Sequence, residues 1–253
     1  GPRTEYFAIN LHGTENVLAA CRKAGVERLV YTSTPSVVFD RQSLEGADER
    51  MPYARRPLCA YAASKIAAER AVLQADSARL RTIAIRPHLV WGPVDHHLIP
   101  RLLDRGRTGA LKVVGDGTNR VDITYIDNAV QAHLRAAENL AASASGAGQA
   151  FFIGQEEPVN LWSWINTLFA RVDIPPVRQR VPFALAWCVG LALETVHAAL
   201  RLEREPSMTR FVAHQLARSH WFSHRKAENL LGYRPAITTA EGVERLVTAL
   251  GHT

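Results

Sequence analysis

The sequence predicts an α/β protein: a doubly wound parallel sheet joined to a smaller, mostly helical lobe. Three observations carry this. Two apolar, β-branched runs, Arg28 to Thr34 and Arg81 to Val90, have the composition of buried strands. Helical patterns precede each of them, and the order helix, strand, helix, strand requires parallel strands with crossover helices. Beyond Pro158 the chain is dominated by helical spacing.

The elements follow in order. From Glu5 to Ala24, Phe7, Leu11, Val17, Leu18 and Cys21 recur at helical spacing, and Gly25 supplies a stop. The strand Arg28 to Thr34 leads into a loop holding Pro35, Gly46, Pro52 and Pro57. Ala60 to Ala75 is rich in alanine and other good helix formers. After the strand Arg81 to Val90 comes a short helix, Leu98 to Arg107. Gly115 and Gly117 around Asp116 predict a hairpin or tight turn between two short strands within Lys112 to Tyr125. Asp127 is a candidate N-cap for a helix through Glu138, Ala141 to Gly148 reads as a linker, and Ala150 to Gly154 as a strand. Leu161 to Arg171 is a helix, followed by helices broken at Pro182, Pro206 and Pro235. The main domain is expected over 1–110, completed by 126–154, with 111–125 and 155–253 forming the smaller lobe.

Composition narrows the class. The 253 residues are 47% hydrophobic and 21% charged, which excludes a disordered chain, and no fixed repeat period is present. The net charge of +6 is spread along the chain without basic–aromatic alternation, so nucleic acid is not expected as a partner. Cys21, Cys59 and Cys188 form no CxxC pair, which argues against zinc or a disulfide scaffold and fits a reducing, cytoplasmic setting. His96 and His97 are adjacent and lack a third ligand, so no metal is expected. No signal peptide stands at the start; Gly1 replaces an initiating Met, and Gly1 to Thr4 reads as a loop broken into midway.

The chemical signal is Tyr61-Ala-Ala-Ser-Lys65, a Tyr and a Lys at i and i+4 on one helix face. A free phenol has a pKa near ~10 and exchanges protons poorly at neutral pH. An ammonium about 5 Å away, at an effective dielectric of about 20, favours the phenolate by roughly 3 kcal/mol, on the order of 2 pKa units. Hydroxyls at the strand end Tyr31-Thr32-Ser33-Thr34 could then hold a carbonyl oxygen, since C-terminal strand ends face the ligand crevice. The plainer reading is a chance pair in which Lys65 merely bridges to Glu69 on the surface.

The strings YTSTPSVVF, YAASK, RPHLVWGP and VVGDGTNRVDITYIDNAVQAH, in this order and spacing, resemble the extended short-chain dehydrogenase/reductase family. Within it, STPSVVF and RPHLVWGPVDHHLIPRLL are most similar to the branch of 3β-hydroxysteroid dehydrogenases, sterol 4-carboxylate 3-dehydrogenases and 2-alkyl-3-oxoalkanoate reductases. The resemblance spans essentially the whole chain. It implies a Rossmann-like sheet and an NAD- or NADP-dependent oxidoreductase acting on a 3-oxo or 3-hydroxy group of a hydrophobic small molecule. It implies Tyr61 as acid/base and Lys65 as the group that lowers the Tyr61 pKa and holds the nicotinamide ribose. Thr34, with Ser33 as a close rival, would hold the substrate oxygen. Thr32, Pro87, Leu89 and Val90 would border the cofactor, and Asn10 would support the site. Homodimers through the Tyr-Lys helix are common in such a family.

The chain departs from the family where a Gly-rich turn should follow the first strand and cradle the pyrophosphate. Gly146-Ala147-Gly148 comes closest but precedes a strand. Relative to the pattern, roughly the first 70 to 80 residues are expected to be missing, and with them the adenosine-binding strands. The chain as written is therefore expected to bind a dinucleotide weakly and to leave a sheet edge unpaired. An epimerase or dehydratase acting on a nucleotide sugar is the rival chemistry, with Arg120 and Arg178 as diphosphate ligands; a non-catalytic relative is the third reading. Phe183 to Leu193 is eleven residues without a charge. That is short of the roughly 20 needed to cross a bilayer. It suits a pocket-lining helix or contact with a membrane surface.

Overall fold

The computed structural model describes residues 3–200, 202 and 206–251. Gly1 and Pro2 of the expected opening loop lie outside the described residues, and Arg3 and Thr4 are already helical. Helix α1 (Arg3–Phe7), a π turn (Ala8–His12) and α2 (Gly13–Ala24) run on as one rod. Strand β1 (Arg28–Thr32) follows, then a 3-10 turn (Pro35–Val37) and β2 (Leu44–Ala47) in the region read as loop. Helix α3 (Ala60–Gln74) carries the Tyr-Lys pair, and β3 (Arg81–Pro87) lies beside β1. Strand β4 (Val90–Trp91), α4 (Leu98–Arg107), β5 (Val113–Val114), β6 (Arg120–Val121) and β7 (Thr124–Tyr125) come next. They lead to α5 (Ile126–Ala141), β8 (Gln149–Ile153), β9 (Val159–Asn160) and α6 (Leu161–Arg171). The last part holds β10 (Arg180–Val181), α7 (Phe183–Ala199), α8 (Arg210–Ala217), β11 (His220–Phe222), α9 (Arg225–Leu231) and α10 (Thr239–Gly251).

The central sheet is parallel, in the order β1-β3-β8. Helices cover both of its faces, as a parallel sheet requires. Leu18 and Cys21 of α2 meet Val72 of α3 and Leu80 on one side. On the other, Ala129, Ala132 and Ala136 let α5 approach Ile83, Ile85, Phe151 and Ile153 closely. Among the described residues β1 is paired on one side only. The far edge is closed by a side chain: the Phe152 amide donates to the Glu49 carboxylate at 2.9 Å.

Two local expectations need correction. The two strands around Gly115 and Gly117 do not form a hairpin: β5 pairs with β10, and β6 with β9 and β11. Both glycines have positive φ, 81° and 74°, and they turn the chain from one small sheet to another. Asp127 is not the cap of α5, because the helix already begins at Ile126; its carboxylate instead pairs with Arg245 of α10 at 3.0 Å. The mostly helical C-terminal region also contributes β11 to the mixed four-stranded sheet β2-β11-β6-β9.

The second core is aromatic. Trp91, Trp162, Trp164 and Phe169 pack with Ile99 and Leu103 of α4 and with Val243 and Leu246 of α10. Helix α4, read as part of the main domain, thus shares the smaller lobe's core. Helix α9, read as part of the smaller lobe, places Ala227 and Leu231 against the central sheet. In α7 only Ala186 and Gly190 are buried, while Leu185, Val189 and Val196 are exposed. No helix among the described residues is long and apolar enough to cross a membrane.

Candidate active site

The C-terminal ends of β1 and β3 and the start of α3 converge, because parallel pairing aligns them: Thr32 sits opposite Ile85, and the Ser33 amide donates to the Ile85 carbonyl at 2.7 Å. Between them and α4 and α8 lies a cavity of about 630 Å³. Thr32, Ser33, Thr34 and Tyr61 line one wall, Pro87, Leu89 and Val90 another, and Leu98, Leu102, Phe211 and Leu216 add apolar surface beside Arg101 and Arg105. Of the residues that the resemblance implies for catalysis and cofactor contact, all but Lys65 therefore border one space, and Asn10 does not.

Tyr61 and Thr34 are neighbours in the cavity wall, and the Thr34 hydroxyl acts on the Tyr61 phenol. Burial pushes the Tyr61 phenol up from its ordinary pKa, and the Thr34 hydroxyl holds it back only in part. Ser33 lines the same wall, and its buried hydroxyl has no hydrogen-bond partner among the described residues. Thr34 also closes its own turn: its Oγ1 accepts from the Ser36 amide at 3.2 Å, which fixes the loop leaving β1.

Lys65 corrects the sequence expectation. Its ammonium donates to the Thr32 carbonyl at 2.6 Å and lies 4.3 Å from the centre of the Tyr31 ring. Its pKa is lowered to about 8 by burial. In this structure the ammonium is spent on β1, not on the Tyr61 oxygen, so the expected depression of the phenol is absent. Glu69 is no surface partner for it. Fully buried, Glu69 receives the Arg86 guanidinium through Nε at 3.0 Å and the Tyr53 hydroxyl at 2.7 Å. Burial alone would raise the Glu69 pKa; Arg86 and Tyr53 together hold it below the usual carboxylate value.

Asn10 does not face the cavity. Its side-chain amide donates to the Ser64 hydroxyl at 3.0 Å, and Ser64 donates to the Tyr61 carbonyl at 2.8 Å, so the π turn braces the first turn of α3. Leu89 has a φ of +41°, an unusual backbone for a branched residue, held where β3 gives way to β4. Thr32 donates to Nε2 of His133 at 2.8 Å, because Nδ1 of that ring is engaged with the Ala129 carbonyl at 2.7 Å.

Sequence reasoning missed two features. One is a histidine pair, His88 and His220, at 2.6 Å. Nε2 of His220 meets the Gln215 carbonyl at 2.9 Å, so His220 accepts from His88 through Nδ1. Burial, and then the second ring, push the His88 pKa well down, so it is neutral at pH 7. The string Arg86-Pro87-His88 could have flagged it, but its partner is 132 positions away. The other is the stripe Arg101 and Arg105 on α4, which also lines the cavity. Arg120 and Arg178 do not: the Arg120 guanidinium donates to the Pro158 carbonyl at 3.1 Å and lies over Trp221.

A parallel α/β sheet whose strand ends meet a Tyr-Lys helix and a hydroxyl-bearing loop is the arrangement of the extended short-chain dehydrogenase/reductase class. Solved structures share this fold. The crystal structure of gox2253 superposes with a TM-score of 0.77 at 23% identity, over 99% of this chain and 74% of that one. A UDP-galactose 4-epimerase does so at 0.72 and 22%, over 100% and 72%. The chain belongs to the 3-beta hydroxysteroid dehydrogenase/isomerase family, whose model matches residues 2–185. A 2-alkyl-3-oxoalkanoate reductase of Stenotrophomonas maltophilia is 47% identical over 97% of this chain and 75% of its own length. Its counterpart in Shewanella oneidensis is 46% identical over 99% and 67%. The Mus musculus sterol-4-alpha-carboxylate 3-dehydrogenase, decarboxylating, is 35% identical over 98% and 70%.

Proposed function

We propose that this chain carries the catalytic and substrate-binding parts of an NAD(P)-dependent oxidoreductase that interconverts a 3-oxo and a 3-hydroxy group on a hydrophobic small molecule. The observation that carries this reading is the meeting of Tyr61, Thr34 and the Pro87–Val90 segment in one apolar cavity. Relatives named for 3-oxoalkanoates and for sterol 3-positions support it.

In this reading Tyr61 is the acid/base. Its raised pKa keeps the proton on the phenol at neutral pH, ready for donation to a carbonyl oxygen as that oxygen gains charge. Thr34, beside Tyr61 in the cavity wall, holds the same substrate oxygen, and the unpartnered Ser33 hydroxyl in that wall is a second candidate for it. A bound nicotinamide supplies or accepts the hydride at the carbonyl carbon. The residues present fit one: Lys65 uses one of its three donors on the Thr32 carbonyl and keeps two for ribose hydroxyls. Thr32 and the Pro87–Val90 backbone would border the ring. The division of labour runs along 1–110 with 126–154 for cofactor and chemistry, and 111–125 with 155–253 for substrate, α4 and α9 being shared across it. The exposed apolar side of α7 suits contact with a membrane surface, and α3 suits a homodimer.

The test is Tyr61→Phe, assayed with both NADH and NADPH on a 3-oxo substrate. Turnover should fall by about 10²–10⁴-fold while nucleotide binding persists; unchanged turnover would remove Tyr61 from the mechanism.

A further inference from the structure

We propose that Arg101, with Arg105 beside it, is the anion-recognition element of this cavity, and that the substrate is a 3-oxo or 3-hydroxy acid held through its carboxylate. This rests on the reading of the cavity just given and specifies its substrate class.

The argument begins with α4. Ile99 and Leu103 bury one face of the helix in the aromatic core, and Leu98 and Leu102 present apolar surface to the cavity. Arg101 and Arg105, at i and i+4, form a third stripe that borders the same space. A second cavity of about 510 Å³ adjoins the first, and Tyr61, Arg101, Arg105, Phe211 and Val212 border both. The two guanidinium groups thus stand at the junction of the Tyr61 site and a further space that Leu58, Pro206 and Glu194 also line.

The other basic groups are placed differently: Lys65 lies outside this cavity on the Thr32 carbonyl, His88 is neutral, Arg210 is paired with Glu194 at 2.7 Å, and His97 shares the lining at the start of α4. Arg105 is tethered, its Nη2 donating to the Ser207 carbonyl at 2.7 Å. Arg101 has no hydrogen bond or ion pair among the described residues. A free guanidinium beside an otherwise apolar cavity is a receptor for a planar carboxylate, which it can take through two parallel N–H bonds. The spacing of such a substrate agrees: in a 3-oxo acid the carboxyl carbon is two bonds from the carbonyl carbon, so both groups must bind in the space that Tyr61 and Arg101 share. A neutral sterol alcohol has no use for this charge.

The experiment compares a 2-alkyl-3-hydroxyalkanoate with its methyl ester, on wild type, Arg101→Gln and Arg101→Lys. Oxidation is followed with NAD⁺ and NADP⁺, and acid binding is measured separately by titration calorimetry, which needs no turnover. In wild type the acid should be favoured, and Arg101→Gln should cut the acid-to-ester ratio of kcat/KM by about 10–100-fold, chiefly through KM. Arg101→Lys should restore part of the ratio, and added salt should weaken acid binding more than ester binding. Equal losses for acid and ester, or acid binding indifferent to Arg101, would overturn the inference. Acid binding that depends on Arg101 without any turnover would keep the inference and defeat the oxidoreductase reading instead.

Discussion

Two ionisable groups in the site are displaced from their ordinary ranges in ways that set its pH response. Tyr61 is raised by burial, and Lys65 is lowered to about 8 by burial. In the reductive direction the phenol must carry its proton and the ammonium must be charged. The phenol satisfies this throughout the neutral range, so Lys65 sets the limit. We expect kcat/KM for carbonyl reduction to fall above about pH 8, and Lys65→Arg, which stays charged, to move the fall upward; a pH–rate profile checks both. The same shift has a stability consequence of defined sign. Between about 8 and 10.5 the unfolded chain holds the Lys65 proton and the folded chain does not, so this residue makes stability rise with pH across that window. Tyr61, Lys65 and Thr34 were legible in the sequence because i,i+4 spacing and a strand end are local facts. The Lys65 partner was not legible, because the Thr32 carbonyl reaches it only through strand–helix packing.

At the scale of elements, α3 is fastened to the sheet by one buried ion pair. Glu69 lies one turn beyond Lys65 and takes Arg86 of β3, with side chains 0% and 5% exposed. Removing one partner strands a buried charge, so Glu69→Ala should cost about 3–5 kcal/mol in urea unfolding and loosen the Tyr61 helix. Glu69 titrates below its ordinary 4.5, so its stabilising contribution is present above that pH and is lost as the pH falls through the lower folded-state value. Helix α7 is held by a close approach: a Cβ on Gly190 would stand 2.7 Å from the Thr209 carbonyl carbon and 2.8 Å from the Arg210 amide. Gly190→Ala should therefore force α7 off α8 at a cost of about 1–3 kcal/mol, measurable as a lowered Tm. The outward Leu185, Val189 and Val196 should let the protein co-sediment with lipid vesicles, and Val189→Glu should abolish that. Helix bounds such as Leu98–Arg107 and Leu161–Arg171 agreed between sequence and structure, since capping and periodicity are short-range. Short strands did not: β2, β10 and β11 span four, two and three residues and exist only through distant partners.

For the whole molecule, the one-sided pairing of β1 and the lack of a Gly-rich turn in the sequence lead to one expectation. The 253-residue chain should bind NADH and NADPH weakly in a fluorescence titration, since the pyrophosphate-cradling turn is what gives such folds their affinity. Tight binding by this chain would mean that the site around Lys65 and Thr32 suffices alone.

The sequence by itself determined the parallel sheet, the helix that carries Tyr61 and Lys65, and the hydroxyl-rich loop facing them. Each is written in residues within one or two turns of each other, where propensity and spacing act directly. Only the tertiary structure decided that Lys65 is bound to β1, that α4 belongs to the aromatic core, and that Arg101 faces the same space as Tyr61. These depend on which elements pack together, and packing joins residues such as His88 and His220 across 132 positions that no local pattern connects.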